Sequence, residues 1–166
     1  MHIYSVKAVA ILSIHLVIAE LAHGQNGVVS MERSEFYKTM SSQKIDDVDK
    51  QLKLVRSSAF AGRDAFEGAL LMKKAGLVVE PHLKLKLFKS GYKKLDAAIK
   101  ADSGNAEYRF LRLMIQEHAP GFLGYRSDLK KDSAYIRKSY KDMSQEVQQA
   151  VLKYSRQSKI LRPSDF

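Results

Sequence analysis

Apolar residues recur at intervals of three and four along residues 41–160, and no stretch alternates between apolar and polar for long. This spacing is typical of amphipathic helices, whereas half-buried strands alternate with a period of two. The clearest stripe lies on residues 81–101, which begin with Pro81 and end before the break at 102–105. The pattern predicts an all-α fold: a single domain of five or six helices arranged as antiparallel hairpins.

Turn and capping residues predict where the other helices begin and end. The expected helices span 45–55 behind Ser41 and Ser42, 64–74 before Gly76, 106–118, and two segments that begin after Ser127 and Ser144. Residues 25–40 form a poorly defined N-terminal segment, so we assign the helical domain to 41–160. Residues 161–166 are expected to be a frayed tail.

Residues 1–24 have the pattern of a secretory signal peptide. Lys7 precedes an apolar run from Ala8 to Ala19, and small residues follow at Ala22 and Gly24. The run of about 12 residues is shorter than the ~20 that a membrane-spanning helix needs. We therefore expect export through a cleaved signal peptide to the periplasm or to the exterior. An uncleaved N-terminal anchor is the alternative.

The positive charge of the chain is concentrated in its second half. The 166 residues carry 28 basic and 18 acidic side chains, a net charge of +10. Residues 25–80 hold nine basic and eight acidic side chains, whereas residues 81–166 hold eighteen and nine. Many of these lysines fall on two narrow helical sectors, which predicts two basic faces: Lys86, Lys89, Lys93 and Lys100 on the first helix, and Lys130, Lys131, Lys138 and Lys141 on the second.

A basic face has two interpretations. The simpler one is an ordinary solvated surface, and the other is a docking surface for an anionic partner. In an exported protein that partner would be an anionic lipid or an acidic polysaccharide. Nucleic acid is not expected, because the faces lack interleaved aromatic residues and the chain has no recognisable nucleic-acid motif.

Arg109, Arg112 and Gln116 share one side of the predicted helix 106–118. Two guanidinium groups one turn apart are able to hold a carboxylate or phosphate. Together with Glu117, Phe122 and Tyr125 they form our candidate ligand-binding set. In the alternative interpretation the arginines pair with local acids such as Glu107 or Glu117, or brace the Pro120 loop, and Phe122 is a core plug.

The sequence offers no recognisable catalytic or metal-binding motif. It has no Cys and no nucleophile elbow, phosphate-binding Gly-rich loop or Glu-x-x-His pair. Beyond the leader, only His82 and His118 remain, 36 positions apart and without the further ligands that a metal site needs. We therefore assign no catalytic residue, metal or cofactor.

Two resemblances to known families lie in this region. Gly91, Leu95 and Ala98 are spaced as in the second helix of a tetratricopeptide unit. Residues 59–162 resemble a family of small exported bacterial proteins of unknown function, which share an Arg-Phe-Leu-Arg, Gln-Glu and Pro-x-Phe-Leu-x-Tyr pattern. Here that pattern is carried by Arg109, Phe110, Leu111, Arg112, Gln116, Glu117, Pro120, Phe122, Leu123 and Tyr125, with His118 where the family has Asn. The second resemblance implies export and an all-helical fold, and it implies no activity.

Three functional hypotheses follow. The sequence favours a non-enzymatic interaction or accessory module of the cell envelope, with another envelope protein as its partner. A peripheral binder of anionic envelope surfaces, acting through the basic faces, is the first alternative. The second alternative is an enzyme that acts on a small anionic substrate through Arg109, Arg112 and Glu117.

Overall fold

The computed structural model describes residues 31–121 and 124–166. Within these ranges the chain forms seven α-helices and two short 3₁₀-helices, at Tyr140–Asp142 and Pro163–Asp165, and no strand. The α-helices are α1 (Arg33–Ser41), α2 (Ile45–Ser57), α3 (Arg63–Leu77), α4 (Pro81–Ala101), α5 (Ala106–Gln116), α6 (Leu129–Ser139) and α7 (Gln145–Ser155). The predicted all-α fold is confirmed. The expected signal peptide lies outside the described residues, as do Phe122 and Leu123.

Helix α1 falls in the segment that we left without a predicted structure. Phe36, Tyr37 and Met40 are buried in the core, and the Phe36 ring packs edge-on against Phe66 with the centroids 5.0 Å apart. Helix α1 ends at Ser41. Ser41 therefore does not cap α2, which begins after Lys44. The helical domain thus begins at Arg33, earlier than the expected residue 41.

Helices α3 and α4 form an antiparallel hairpin with a connection of only three residues. They cross most closely at Gly68 and Gly91, where an added Cβ on either residue would come within 2.6 Å of the other's carbonyl oxygen. Pro81 is the first residue of α4, as predicted. At the other end of α4, Asn105 caps α5 by accepting a hydrogen bond from the Tyr108 N–H at 3.2 Å.

Helix α5 is the central element of the domain, and nine of its eleven residues are buried. It contacts α3, α4, α6 and α7. On its apolar side the Phe110 ring packs against Tyr37 and Tyr154, each with a centroid separation of 5.7 Å. Because these neighbours cover most of α5, the side that carries Arg109, Arg112 and Gln116 is buried as well.

The C-terminal residues pack against the domain, in contrast to the frayed tail that we expected. Leu161 is fully buried. The Arg137 Nε donates to the Asp165 carboxylate at 2.8 Å, and the Phe166 ring lies 4.6 Å from that of Tyr140. Helix α6 differs from the prediction by one position, since it follows Asp128 rather than Ser127. None of the helices in the described ranges is long and apolar enough to cross a membrane.

Candidate functional site

The structure buries all three polar residues that we placed on one side of α5. Arg109 is 6% exposed, Arg112 is 5% exposed and Gln116 is fully buried. They lie beneath α6, whose fully buried Asp132 points toward them. A charged group in such a position is tolerated only when it is paired and hydrogen-bonded. The pairing of the two guanidinium groups therefore decides what this side of α5 is able to do.

Asp132 pairs with both arginines. Its carboxylate accepts two hydrogen bonds from Arg112, from Nε at 2.7 Å and from Nη2 at 2.8 Å. It also accepts one from the Arg109 Nη1 at 3.1 Å. The two-pronged contact with Arg112 is the geometry in which a guanidinium holds a carboxylate most strongly. The site that we predicted for an external anion is thus occupied by an internal one.

The remaining guanidinium donors also have partners within the protein. The Nε and Nη2 atoms of Arg109 donate to the Ser103 carbonyl at 3.2 and 2.8 Å. The Arg112 Nη1 lies 3.6 Å from the Asp96 carboxylate and 3.5 Å from that of Asp128. We call these two arginines and three aspartates, Arg109, Arg112, Asp96, Asp128 and Asp132, the arginine network.

The network favours the charged form of Arg112. Burial alone would lower the pKa of this guanidinium, but the hydrogen bond and negative charge of Asp132 outweigh that effect, and its pKa is raised. The Arg109 guanidinium also lies over the ring of Tyr135, 4.5 Å from its centroid. These contacts hold both cations inside the fold.

Glu107 and Glu117, the two acids named in the alternative interpretation of the arginines, have other partners. Glu107 accepts hydrogen bonds from the Arg33 Nε at 3.1 Å and from the Tyr37 hydroxyl at 3.0 Å. Glu117 lies at the end of α5, where it accepts from Tyr154 and Ser158. The alternative interpretation thus has the wrong acids as examples, since the arginines pair with Asp132 and not with Glu107 or Glu117.

Glu117 fastens the C-terminal segment to α5. Its carboxylate accepts hydrogen bonds from the Tyr154 hydroxyl at 2.8 Å, the Ser158 hydroxyl at 2.7 Å and the backbone N–H of Lys159. Burial would raise the pKa of this carboxyl, but the hydrogen bonds outweigh burial and lower it. Burial, together with the negative charge of Glu117, raises the pKa of Tyr154. Glu117 is thus engaged in a structural cluster.

Two other members of the candidate ligand-binding set, Tyr125 and Gln116, have different surroundings. The Tyr125 ring packs against α4, with its centroid 4.7 Å from Phe88 and 4.9 Å from Tyr92. Neither polar atom of the Gln116 side chain has a hydrogen-bond partner in the part of the chain that the structure describes. Phe122 lies outside that part. The described members of this set are thus buried, paired or packed within the fold, apart from the Gln116 amide.

Sequence reasoning missed Asp132, the residue that organises the arginine network. A signal for it was present, because Asp132 shares the inward side of α6 with Leu129 and Ile136, where an acid is out of place. An acid on an apolar stripe indicates a buried cation on the facing helix. Asp96 and Asp128 gave no such signal, since a helix surface commonly carries single acids.

The eight candidate lysines all remain exposed. We call Lys86, Lys89, Lys93 and Lys100 the α4 lysine face, and Lys130, Lys131, Lys138 and Lys141 the α6 lysine face. Lys100 is 2.8 Å from the Asp96 carboxylate. Within the described ranges, no carboxylate lies within 4.0 Å of the ammonium group of Lys86, Lys89 or Lys93. Both faces are thus open to solvent, and most of the first is free of acidic partners.

A groove of about 820 Å³ lies on another part of the molecule, between the start of α1, the start of α5 and the segment joining α6 to α7. Its lining includes Glu32, Arg33, Glu107, Asp142 and Glu146. None of the candidate ligand-binding residues contributes to it. We assign the groove no ligand.

Metal binding finds no support in the described ranges, which contain no group of three or more His, Asp and Glu side chains arranged to hold an ion. His82 is exposed beside Glu80, and His118 contacts the Tyr154 hydroxyl at 3.3 Å.

No family model, curated protein or solved structure matches the chain. The resemblance to small exported bacterial proteins therefore stays a prediction.

Proposed function

We propose that this chain is a non-enzymatic interaction module of the cell envelope that docks on an anionic partner surface through the α4 and α6 lysine faces. One observation carries the proposal: the arginines expected to bind a ligand are paired inside the fold, whereas the lysines expected to bind a surface are exposed and largely unpaired. Positive charge left facing solvent attracts anionic partners over a range of several ångströms.

The geometry of the α4 lysine face supports a surface rather than a small ligand. Lys86, Lys89 and Lys93 lie on the side of α4 opposite the buried residues Gly91 and Leu95. They are spaced about one helical turn apart and span about 10 Å. A row of this kind meets several separate negative charges at once, whereas a pocket for one small anion requires convergent donors.

The arginine network holds the two lysine faces in a fixed relation. Arg112 contacts Asp96 on α4. It also contacts Asp128, which immediately precedes α6, and Asp132 within α6. Tyr125, just before α6, packs against Phe88 and Tyr92 on α4. The network thus serves as a brace between the two helices that carry the basic faces.

The enzyme hypothesis would require the arginine network to open. To bind a substrate, Arg109 and Arg112 would have to leave Asp132, which would strand a buried carboxylate at a cost of about 3–5 kcal/mol. The tetratricopeptide-like spacing on α4 instead supports a binding role, because helical repeats of that type present surfaces to partners. The leader-like pattern of residues 1–24 supports placing the module in the envelope.

Binding experiments with charge-neutralised variants test the proposal. The full chain is mixed with immobilised alginate, an acidic polysaccharide, and separately with vesicles of phosphatidylglycerol and phosphatidylcholine. We expect binding at low ionic strength to at least one surface, and weaker binding as salt is added. A lysine near an anionic surface contributes about 1 kcal/mol, so the Lys86→Gln, Lys89→Gln, Lys93→Gln variant should bind about a hundredfold more weakly.

A matched control removes the same charge from another helix. Lys44, Lys50 and Lys53 belong to α2 or precede it, and all three are exposed. Their replacement by Gln gives a variant of equal net charge, which should bind nearly as the unmodified chain does. Equal losses in the two variants would reduce the effect to net charge alone. Absence of binding to both surfaces at low salt would end the proposal.

A further inference from the structure

The α3–α4 connection and the first turns of α4 carry the most exposed large hydrophobic side chains in the described ranges. We call residues 77–89 the hairpin tip. Val79 is 93% exposed and Leu85 is 45% exposed, whereas the other two exposed large hydrophobic residues, Ile45 and Leu54, reach 37%. Single apolar residues on a surface are common. Here the two most exposed ones belong to the same hairpin.

One side of the hairpin tip packs against the protein, since Val78 is buried and Leu77 and Phe88 contact the core, whereas Val79 and Leu85 lie outside the core cluster. Helix α4 has 21 residues, and none of them before Gly91 is buried. Leu87 still packs against the edge of the core, but Leu83 is only half-buried and lies outside that cluster. The first ten residues of α4 therefore give apolar side chains to solvent on more than one side, although the rest of the helix is anchored at Gly91, Leu95 and Ile99.

Cationic side chains surround these apolar residues. Lys84, Lys86 and Lys89 are exposed within the hairpin tip, and Glu80 is its only carboxylate. Glu80 in turn lies 3.6 Å from the His82 ring. From Pro81 to Lys89 the helix advances about 12 Å. Val79 at the apex is thus followed by three lysines within about 12 Å of helix length.

We propose that the hairpin tip docks on an anionic phospholipid bilayer, with Val79 and Leu85 entering the boundary between headgroups and acyl chains and Lys84, Lys86 and Lys89 contacting the headgroups. This inference rests on the proposed function and names its partner. Exposed apolar side chains flanked by lysines are the combination that binds membrane interfaces. An acidic polysaccharide matches the charge but offers no apolar layer for Val79 and Leu85. The tip has no aromatic residue outside the partly packed Phe88 on which bases would stack.

A single-tryptophan reporter tests insertion directly, because the chain contains no Trp. The Val79→Trp variant of the full chain is titrated with vesicles of phosphatidylglycerol and phosphatidylcholine, and with vesicles of phosphatidylcholine alone. We expect its emission to shift to shorter wavelength on the anionic vesicles and to be quenched by brominated acyl chains. A Leu54→Trp variant reports from α2 and should show neither change. This pair of reporters separates insertion at the tip from any contact made by residues 1–30.

A second experiment measures how much Val79 and Leu85 contribute to the affinity for vesicles. The Val79→Ser, Leu85→Ser variant should bind anionic vesicles at least about tenfold more weakly, yet keep its affinity for alginate. Vesicle binding with unchanged Val79→Trp emission, or binding to alginate alone, would overturn tip insertion and leave the proposed function standing. Absence of binding to both surfaces would overturn both proposals.

Discussion

Arg109 and Arg112 on α5 and Lys86, Lys89 and Lys93 on α4 carry the same charge, but the arginines are at most 6% exposed and the lysines face solvent. The arginines meet Asp132 on the facing helix, whereas in the described ranges the three lysines lie on the side of α4 away from its buried residues. The difference arises from what lies opposite each helix side rather than from the residues themselves. Basic charge therefore stabilises the fold in one region and remains available for a partner in the other.

The largest effect should come from removing the acid that both arginines share. The Asp132→Asn variant keeps the shape of the side chain but leaves Arg109 and Arg112 without their buried counter-ion. We expect the free energy of unfolding to fall by about 3–5 kcal/mol, as measured by urea denaturation. Asp142, which is exposed, provides the matched control. Its replacement by Asn should change stability by less than about 0.5 kcal/mol.

The same experiment tests whether the arginines, unlike the lysines, are held by a partner within the fold. If the Asp132→Asn variant unfolds within about 1 kcal/mol of the unmodified chain, the arginines are not held by Asp132 in solution. They would then be available for a ligand, and the enzyme hypothesis would gain support. A variant too unstable to purify would agree with the expected loss, and Asp132→Glu, which keeps the charge, should then recover part of the stability.

Helix periodicity predicted much of the fold but not the partners within it. Pro81 and Asn105 act through their own backbone and local hydrogen bonds, so local sequence was enough to place the ends of α4 and the start of α5. Helix α1 was missed because its stability comes from Phe36 and Tyr37 packing on distant residues. The arginines were recognised as a pair, yet their partner lies 20 or more positions away on another helix. Only tertiary structure fixes such a pairing.

The buried acid Glu117 should give a stability effect of intermediate size. Glu117 accepts three hydrogen bonds, and its pKa is lowered from the ordinary value of 4.5. A lowered pKa in the folded state means that Glu117 stabilises the fold above that ordinary value and that this contribution is lost as pH falls through the folded pKa. The Glu117→Gln variant should be less stable by about 1–3 kcal/mol at neutral pH.

The pH dependence distinguishes Glu117 from a generic loss of packing. Below about pH 4.5, the stability difference between the unmodified chain and the Glu117→Gln variant should shrink as the Glu117 carboxyl takes up a proton. Urea denaturation at a series of pH values measures this difference. The exposed Glu35, whose ion-pair partner is Lys38, serves as the control, since Glu35→Gln should give a small difference at every pH. A difference for Glu117→Gln that does not change with pH would show that its charge contributes nothing.

The smallest effect on stability should come from the lysines that we assign the largest effect on binding. The ammonium groups of Lys86, Lys89 and Lys93 have no carboxylate within 4.0 Å among the described residues, so their replacement by Gln removes mutual repulsion and no ion pair. The free energy of unfolding should change by less than about 0.5 kcal/mol, and any change should be toward higher stability. A loss above 1 kcal/mol would mean that these lysines hold the fold together, as the arginines do. An unchanged stability combined with lost binding would assign the charge of these lysines to the partner surface.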